Sequence, residues 1–424
     1  MKISLFVWGR ESIMSAISHG LKKNGHEVQI IDLDNSKEFL VVIEAIDSFK
    51  PDFCFTHNFY AFDSWKYGEA LEKVLKTKGI PVGTWYWDSP QISGYYKLIQ
   101  RLNFGPNYPD QMLFFVVDKS HQDWFKVRNS PSTYLPIGVN DEFFSKPAHP
   151  HLKEQFQCDI SFVGKPCSGV VAKVQNQDNL WRTYLEVTAN DFYNLFIQTS
   201  AITQMMPEEV KVQLQLVGQI FYQFFNSAIF SAEECEERSA YCLEIAKQIL
   251  LAPTLREYQI YSGRLEFFYS WFQLNYLLLS LQKFDLSVFG GPVWSENLLP
   301  HFTKKSPVLT NDELHACFAF SPISFCHTKW QFKTGVHERP LLVLAAGGFP
   351  LTDYRSGILD LFKPGEIAVY HSEEELLDLA KYYLRNESER LEISKRGRTR
   401  VLKDHSYTER SKVIVSEMKR HFNL

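Results

Sequence analysis

Short apolar runs that stop at glycine, aspartate or histidine recur along this chain, with helix-like segments between them. That alternation confines it to a parallel α/β architecture. Over residues 1 to about 140 the candidate strands are Ile3 to Trp8, Val28 to Ile31, Phe53 to Thr56, Pro81 to Trp87, Leu113 to Val117 and Thr133 to Leu135. A helix with Ile13, Ile17, Gly20 and Leu21 on one face follows the first of them. The pattern returns at Asp159 to Val163, Leu286 to Phe289, Ser306 to Leu309, Pro322 to Cys326, Phe349 to Thr352 and Ile367 to Tyr370. With 424 residues the chain exceeds one ordinary core, so two Rossmann-like lobes facing a cleft are expected.

The expected division is 1–145 for the first lobe, 146–400 for the second, and 401–424 for a terminal helix packing back on the first. Pro136 to Lys153, with Pro147 and Pro150, reads as a linker. A helical insertion is expected over about 171–280, where Val210, Leu214, Val217, Phe221 and Phe224 form a core stripe. Ser231 with Glu234, Thr310 with Glu313 and Ser372 with Glu375 have the spacing of capping boxes.

Composition narrows the function classes. A formal net charge of −4 leaves no excess of Lys and Arg to neutralise phosphates, which excludes a dedicated nucleic-acid binder. Aromatics at 15% suit broad internal packing or sugar-stacking surfaces, and packing is the simpler use. Seven cysteines without a CxxC pair read as reduced thiols, which points to the cytoplasm. The N-terminus reads as a strand and not a signal peptide. The richest apolar segment, Phe267 to Leu281, is broken by Ser270, Gln273, Asn275 and Ser280, so no membrane span is expected.

The stretch from Gly335 to Asp353 reads as a ligand-facing helix followed directly by a buried strand. Pro340 suits the first helical position, and Gly347 with Gly348 can supply a left-handed stop. The first turn would aim free N–H groups outward with Arg339 beside them, a simple way to hold a diphosphate. An ordinary α/β packing helix is the equal alternative.

Open parallel sheets bind ligands beyond the carboxyl ends of their strands. The polar residues there are Gly9-Arg10, His57-Asn58, Asp88-Ser89 and Asp118-Lys119 in the first half, and Gly164-Lys165, Gly290-Gly291, His327 to Lys329 and Asp353 in the second. Asp88 and His57 are the candidate bases for an acceptor hydroxyl, and capping a neighbouring helix is the plainer role for each. Asp32-Leu33-Asp34 resembles a metal-binding Asp-x-Asp or a ribose-binding acid, but a solvated turn accounts for it more simply. His337-Glu338 lacks the second histidine of a zinc helix, and no metal site is expected. The tail from Lys395 to Arg420 interleaves basic and apolar residues, so it reads either as a solvated helix or as a peripheral contact with an anionic membrane face.

Taken together, these segments resemble the glycosyltransferases of the spore-maturation CgeB-like kind, built on the GT-B fold. In the first half the resemblance runs through Gly25-His26-Glu27-Val28, Ile80-Pro81-Val82, Trp87-Asp88-Ser89-Pro90, Asp118 to His121 with Trp124, and Tyr134-Leu135-Pro136. In the second it runs through Asp159 to Gly164, Arg339 to Tyr354, Tyr382-Tyr383-Leu384 and His405-Ser406-Tyr407. It implies an enzyme that moves a sugar from a nucleotide-sugar co-substrate, with no other cofactor and no metal in the chemistry, to a glycan, lipid or protein acceptor.

The resemblance puts Arg339, Gly347, Gly348 and Lys165 along the donor diphosphate; the strand-end residues Gly164 and Asp353, with Glu338, are the further donor-binding candidates. One departure stands out: the family's ribose-binding Glu is here Leu342. Glu338 lies four residues earlier, in the turn before the expected helix start at Pro340, and replaces that Glu only if the turn faces the donor. Three readings follow: a glycosyltransferase, a GT-B-derived binding scaffold without turnover, and a GT-B epimerase.

Overall fold

The computed structural model describes residues 1–8, 12–35, 38–63, 66–90, 111–126, 129–164, 274, 277, 278, 280–290, 303–305, 308, 310–329 and 331–424. The expected helical insertion lies almost entirely outside the described residues, as do Gly9, Arg10, Lys165 and Gly291.

The first lobe is a six-stranded parallel sheet of β1 (Lys2–Val7), β2 (Glu27–Asp32), β3 (Phe53–His57), β4 (Val82–Tyr86), β5 (Met112–Val116) and β6 (Ser132–Tyr134), in the order β2-β1-β3-β4-β5-β6. Its helices include α1 (Ser12–Lys23), α2 (Phe39–Phe49), α3 (Tyr60–Asp63), α4 (Gly68–Lys78) and α5 (Lys119–Lys126). β3, β4 and β5 are buried along their whole length. Strands covered by helices on both faces must be apolar throughout, which is why the sequence shows runs here and not alternation.

The second lobe repeats the design with β7 (Ile160–Val163), β8 (Leu286–Phe289), β9 (Thr303–Lys305), β10 (Ile323–Cys326), β11 (Pro350–Asp353) and β12 (Ala368–Tyr370), in the order β12-β11-β10-β7-β8-β9, again all parallel. β9 precedes the strand expected at 306–309, most of which lies outside the described residues. The chain direction across this sheet reverses between β7 and β10, which opens a crevice at their carboxyl ends.

Pro136 to Lys153 is not a loose linker. Leu135, Ile137 and Val139 are buried, Val139 bridges Ser406, and α6 (Asp141–Phe144) is capped by the Asn140 side chain. The second lobe's helices include α7 (Asn311–Phe320), α8 (Glu338–Ala346), α9 (Ile358–Leu361), α10 (Glu373–Arg385) and α11 (Glu387–Asp404). The Thr310–Glu313 capping box is complete, and Ser372 caps α10 by accepting from the Glu375 N–H.

α12 (Tyr407–Phe422) returns to the first lobe and lies on α1. The approach needs Gly20: a Cβ there would stand 2.7 Å from Ser411 Oγ and 2.8 Å from the Tyr407 carbonyl oxygen. Ile414, Val415 and Met418 are buried in one cluster with Ile17 and Leu21. That burial spends Ile414, Val415 and Met418 on the protein's own core and leaves Val413 exposed among the tail's apolar residues. Three of its cations are engaged internally: Arg400 pairs with Glu366 and Asp404, Arg398 donates to the Ala345 and Phe144 carbonyls, and Arg410 donates to that of Pro136. Among the described residues no helix is long and apolar enough to cross a membrane.

Candidate active site

The carboxyl ends of β3 and β4 in the first lobe face the crevice between β7 and β10 in the second, and polar side chains meet there. Asp88, half-buried just past β4, has one amide on each carboxylate oxygen. Asn58 Nδ2 donates to its Oδ2 at 3.0 Å from the same lobe, and Gln331 Nε2 donates to its Oδ1 at 2.9 Å from the other. Asn58 is itself fixed in a left-handed conformation, φ 46°, and its Oδ1 accepts the Trp87 N–H at 2.8 Å. Asparagine tolerates that conformation better than most residues.

His57 is close by but sealed. It is 3% exposed, its ring stacks on Trp87 at 4.5 Å and meets the edge of Tyr60 at 4.8 Å. Burial pushes its pKa down to about 4, so the ring is neutral near pH 7. The burial argues against the expectation that His57 deprotonates an acceptor, because the ring packs between Trp87 and Tyr60.

In the second lobe α8 begins at Glu338, two residues before the expected start, because His337 caps it. His337 Nδ1 accepts the Arg339 N–H at 3.3 Å, a role open only to the neutral ring. Burial first, and then the Arg339 and Lys329 charges, hold its pKa well below the usual histidine range. The cap also corrects the anion-site picture. The Arg339 N–H is already taken and Pro340 has none, so the first turn offers fewer free donors than the sequence implied.

The Arg339 side chain remains. Its guanidinium lies 5.1 Å over the Phe162 ring and, among the described residues, has no carboxylate partner. Gly164, ending β7, leaves room for it: a Cβ there would meet Arg339 Nη2 at 3.2 Å and the Phe162 ring at 2.9 Å. Lys165, the next residue, lies outside the described residues.

Glu338 sits in the first helical turn and not in a turn before it. Burial raises its pKa, the Arg339 and Lys329 charges oppose the rise, and Asp88 adds to it. Two carboxyl groups from opposite lobes therefore share one cleft. Leu342, where the resembled family has its Glu, packs half-buried against the main core.

Gly347 and Gly348 do not reach this cleft. Gly347 is the left-handed C-cap of α8, φ 87°, and nine helical residues span about 13 Å between the two ends. Gly348 packs on α7, where a Cβ would fall 2.0 Å from the Phe318 carbonyl oxygen. One diphosphate cannot touch both ends of the helix, and at this end Gly347 stops α8 while Gly348 lets it pack on α7.

Asp353 is also committed. Its Oδ1 accepts the Thr328 N–H at 2.7 Å and its Oδ2 accepts Arg355 Nε at 2.9 Å. Burial alone would raise its pKa, yet Arg355, His327 and the Thr328 N–H together hold it below the usual carboxylate range. It braces the rim and is 4% exposed.

Between these groups the lobes are tied together by the segment that leads into α8. Asp118, past β5, accepts the Thr334 N–H at 3.0 Å, Thr334 Oγ1 at 2.5 Å and the Gly335 N–H at 2.8 Å. His121 Nε2 donates to the Gln331 carbonyl oxygen at 3.0 Å, and Lys119 pairs with Asp360 at 2.8 Å. Asp118 and Asn58 were among the strand-end residues the sequence marked; Gln331 and Thr334 carried no local signal. Asp32 closes an exposed turn by accepting the Asp34 N–H at 3.0 Å and Asn35 Nδ2 at 2.6 Å, the role of a turn residue. Among the described residues no three His, Cys, Asp or Glu side chains converge to hold a metal ion.

Residues 273–416 match the model of a family described as glycosyl transferase-like. The whole chain is similar in structure to sucrose-phosphate synthase from Thermosynechococcus elongatus, at 10% identity and a TM-score of 0.53, over 100% of this chain and 99% of that one. At that identity the likeness is one of fold: two Rossmann-like lobes in the GT-B arrangement of glycosyltransferases. The Anabaena protein HepE in complex with UDP-glucose resembles it at 8% identity and a TM-score of 0.49, over 99% of this chain and 100% of that one. No protein among the curated sequences matches.

Proposed function

We propose that this protein is a glycosyltransferase that carries a sugar from a nucleotide-sugar donor, held by the second lobe, to an acceptor hydroxyl presented on the first. The observation that carries the reading is the Arg339 guanidinium, unpaired among the described residues, at the β7/β10 crevice opposite Asp88. A half-buried cation without a carboxylate partner is open to an anionic ligand, and phosphate oxygens suit the fork of a guanidinium.

In this reading Arg339, with Lys329 and the positive end of α8, meets the charge that builds on the leaving diphosphate, so the chemistry calls for no metal ion. Asp88 takes the proton of the acceptor hydroxyl as its oxygen bonds the anomeric carbon and the bond from that carbon to the diphosphate oxygen breaks. Glu338, in the first turn of α8, is positioned to take over the ribose contact that Leu342 lacks. The Trp87 ring, stacked on His57, offers an apolar face for an acceptor sugar. A scaffold without turnover is the second reading, and Leu342 is the observation that favours it.

The test begins with a thermal-shift panel of nucleoside diphosphates and nucleotide sugars, since a ligand of the native state raises apparent stability by mass action. The ligand found is then titrated calorimetrically into Arg339→Ala. Removing one charge-assisted contact should cost about 1.5–3 kcal/mol, or roughly 10- to 150-fold in affinity. Unchanged affinity would remove Arg339 from the donor site. Binding without any sugar release would leave the scaffold.

A further inference from the structure

The amide that Gln331 extends across the cleft has no counterpart in the sequence reading and is not explained by donor binding. Gln331 belongs to the second lobe, in the segment between β10 and α8, yet its side chain and its carbonyl oxygen both bond the first lobe, on Asp88 and His121. Three and four residues on, Thr334 and Gly335 bond Asp118. The fit at Gly335 is tight: a Cβ there would stand 2.9 Å from the Val117 carbonyl oxygen.

We propose that Gln331 is a positioning residue for glycosyl transfer: delivered from the donor lobe, its amide sets the orientation of the Asp88 carboxylate toward the acceptor hydroxyl. The inference rests on the glycosyltransferase reading and deepens it.

A carboxylate held by one donor still swings about its terminal torsion, a broad and soft coordinate. Asn58 on Oδ2 and Gln331 on Oδ1 together fix the plane, so the remaining lone pair on each oxygen has a defined direction from which to face the substrate. An amide neither gives nor takes a proton near neutral pH, so it can hold the base without competing for its proton. Asn58 comes from Asp88's own lobe and is always at hand. Gln331 is at hand only when the segment 331–335 lies against β4 and β5. The base is therefore complete only with the lobes apposed and the turn before α8 in place, which ties the donor end of the cleft to the acceptor end.

The test uses the full-length protein and the nucleotide sugar found by the thermal-shift panel, with release of nucleoside diphosphate as the rate and calorimetry as the binding readout. Gln331→Ala should leave donor affinity within about twofold and lower kcat by about tenfold or more, because orientation is lost while the donor contacts remain. Gln331→Glu is the informative companion. It preserves shape but sets a carboxylate against Asp88, so the activity it retains should rise on acidification, when one shared proton restores the hydrogen bond. Its pH optimum should fall below that of the unaltered protein, whereas Gln331→Ala keeps the original optimum. The other ionisable groups at this point, Glu338 and His121 beside Asp88 and Lys329 and Arg339 beside Glu338, are the same in all three proteins.

A Gln331→Ala protein with unchanged kcat overturns the inference. So does one whose donor affinity falls in step with its rate, and so does a Gln331→Glu profile that tracks the original. If the unaltered protein releases nothing from any nucleotide sugar, the glycosyltransferase reading itself fails, which is a distinct result.

Discussion

Gly348 separates two accounts of the Gly-Gly pair by a single atom. A methyl group there would sit 2.0 Å from the Phe318 carbonyl oxygen, and backbone cannot step aside as a long side chain can. Gly348→Ala is expected to destabilise the protein by about 1–3 kcal/mol, the usual range for overpacking, in urea denaturation. Nucleotide affinity measured on the folded fraction should not change. A variant of normal stability that no longer binds nucleotide would return the glycine to the donor site. His337 was not legible as a cap. Helix caps are read from Ser, Thr, Asp and Asn, and an imidazole caps only when packing aims an unprotonated nitrogen at the first turn, a condition no local pattern announces.

Among elements, strands were the most legible part of the fold. Parallel strands buried on both faces must be apolar from end to end, and runs such as Phe53–His57 and Met112–Val116 state that directly. Where two elements meet was not legible. Gln331 bonds Asp88 across 243 positions of sequence and Thr334 bonds Asp118 across 216, so neither partner stands in any window that periodicity inspects. The terminal tail shows the same gap: its interleaved charges and apolar residues suit a membrane face as well as a core face, and only the α1–α12 contact shows which residues are buried in the core.

Buried histidines at element junctions give a pH test at this scale. His57 at the end of β3, His327 joining β10 to β12 through Tyr370 Oη at 3.0 Å, and His405 joining α11 to α9 through the Leu361 carbonyl at 2.8 Å each have a pKa pushed down to about 4, with burial the largest cause. Between that value and the ordinary value near 6.5 the unfolded chain binds protons that the native state refuses. Stability therefore falls as pH falls through this window, by at most about 1.4 kcal/mol per pH unit for each histidine. Glu338, whose pKa is raised, works in the opposite sense but is one group against three. Asp118 and Asp353, with lowered values, add their losses only further into acid. Urea midpoints should drop steadily from pH 7 to pH 4.5; a flat profile would show that these rings are not held neutral.

At the scale of the whole molecule, the two sheets, the return of α12 and the contacts of residues 331–335 hold the carboxyl ends of both lobes toward each other. The fold alone would serve a transferase, an epimerase or a scaffold. What separates them is whether the crevice between β7 and β10 receives a diphosphate. The most direct measurement is a crystal structure of the protein with the nucleoside diphosphate that most raises its melting temperature. The account predicts phosphate oxygens at about 2.7–2.9 Å from the Arg339 guanidinium, beside Gly164 and facing Asp88. Phosphates lodged elsewhere, with Arg339 turned onto a carboxylate of the protein itself, would contradict it.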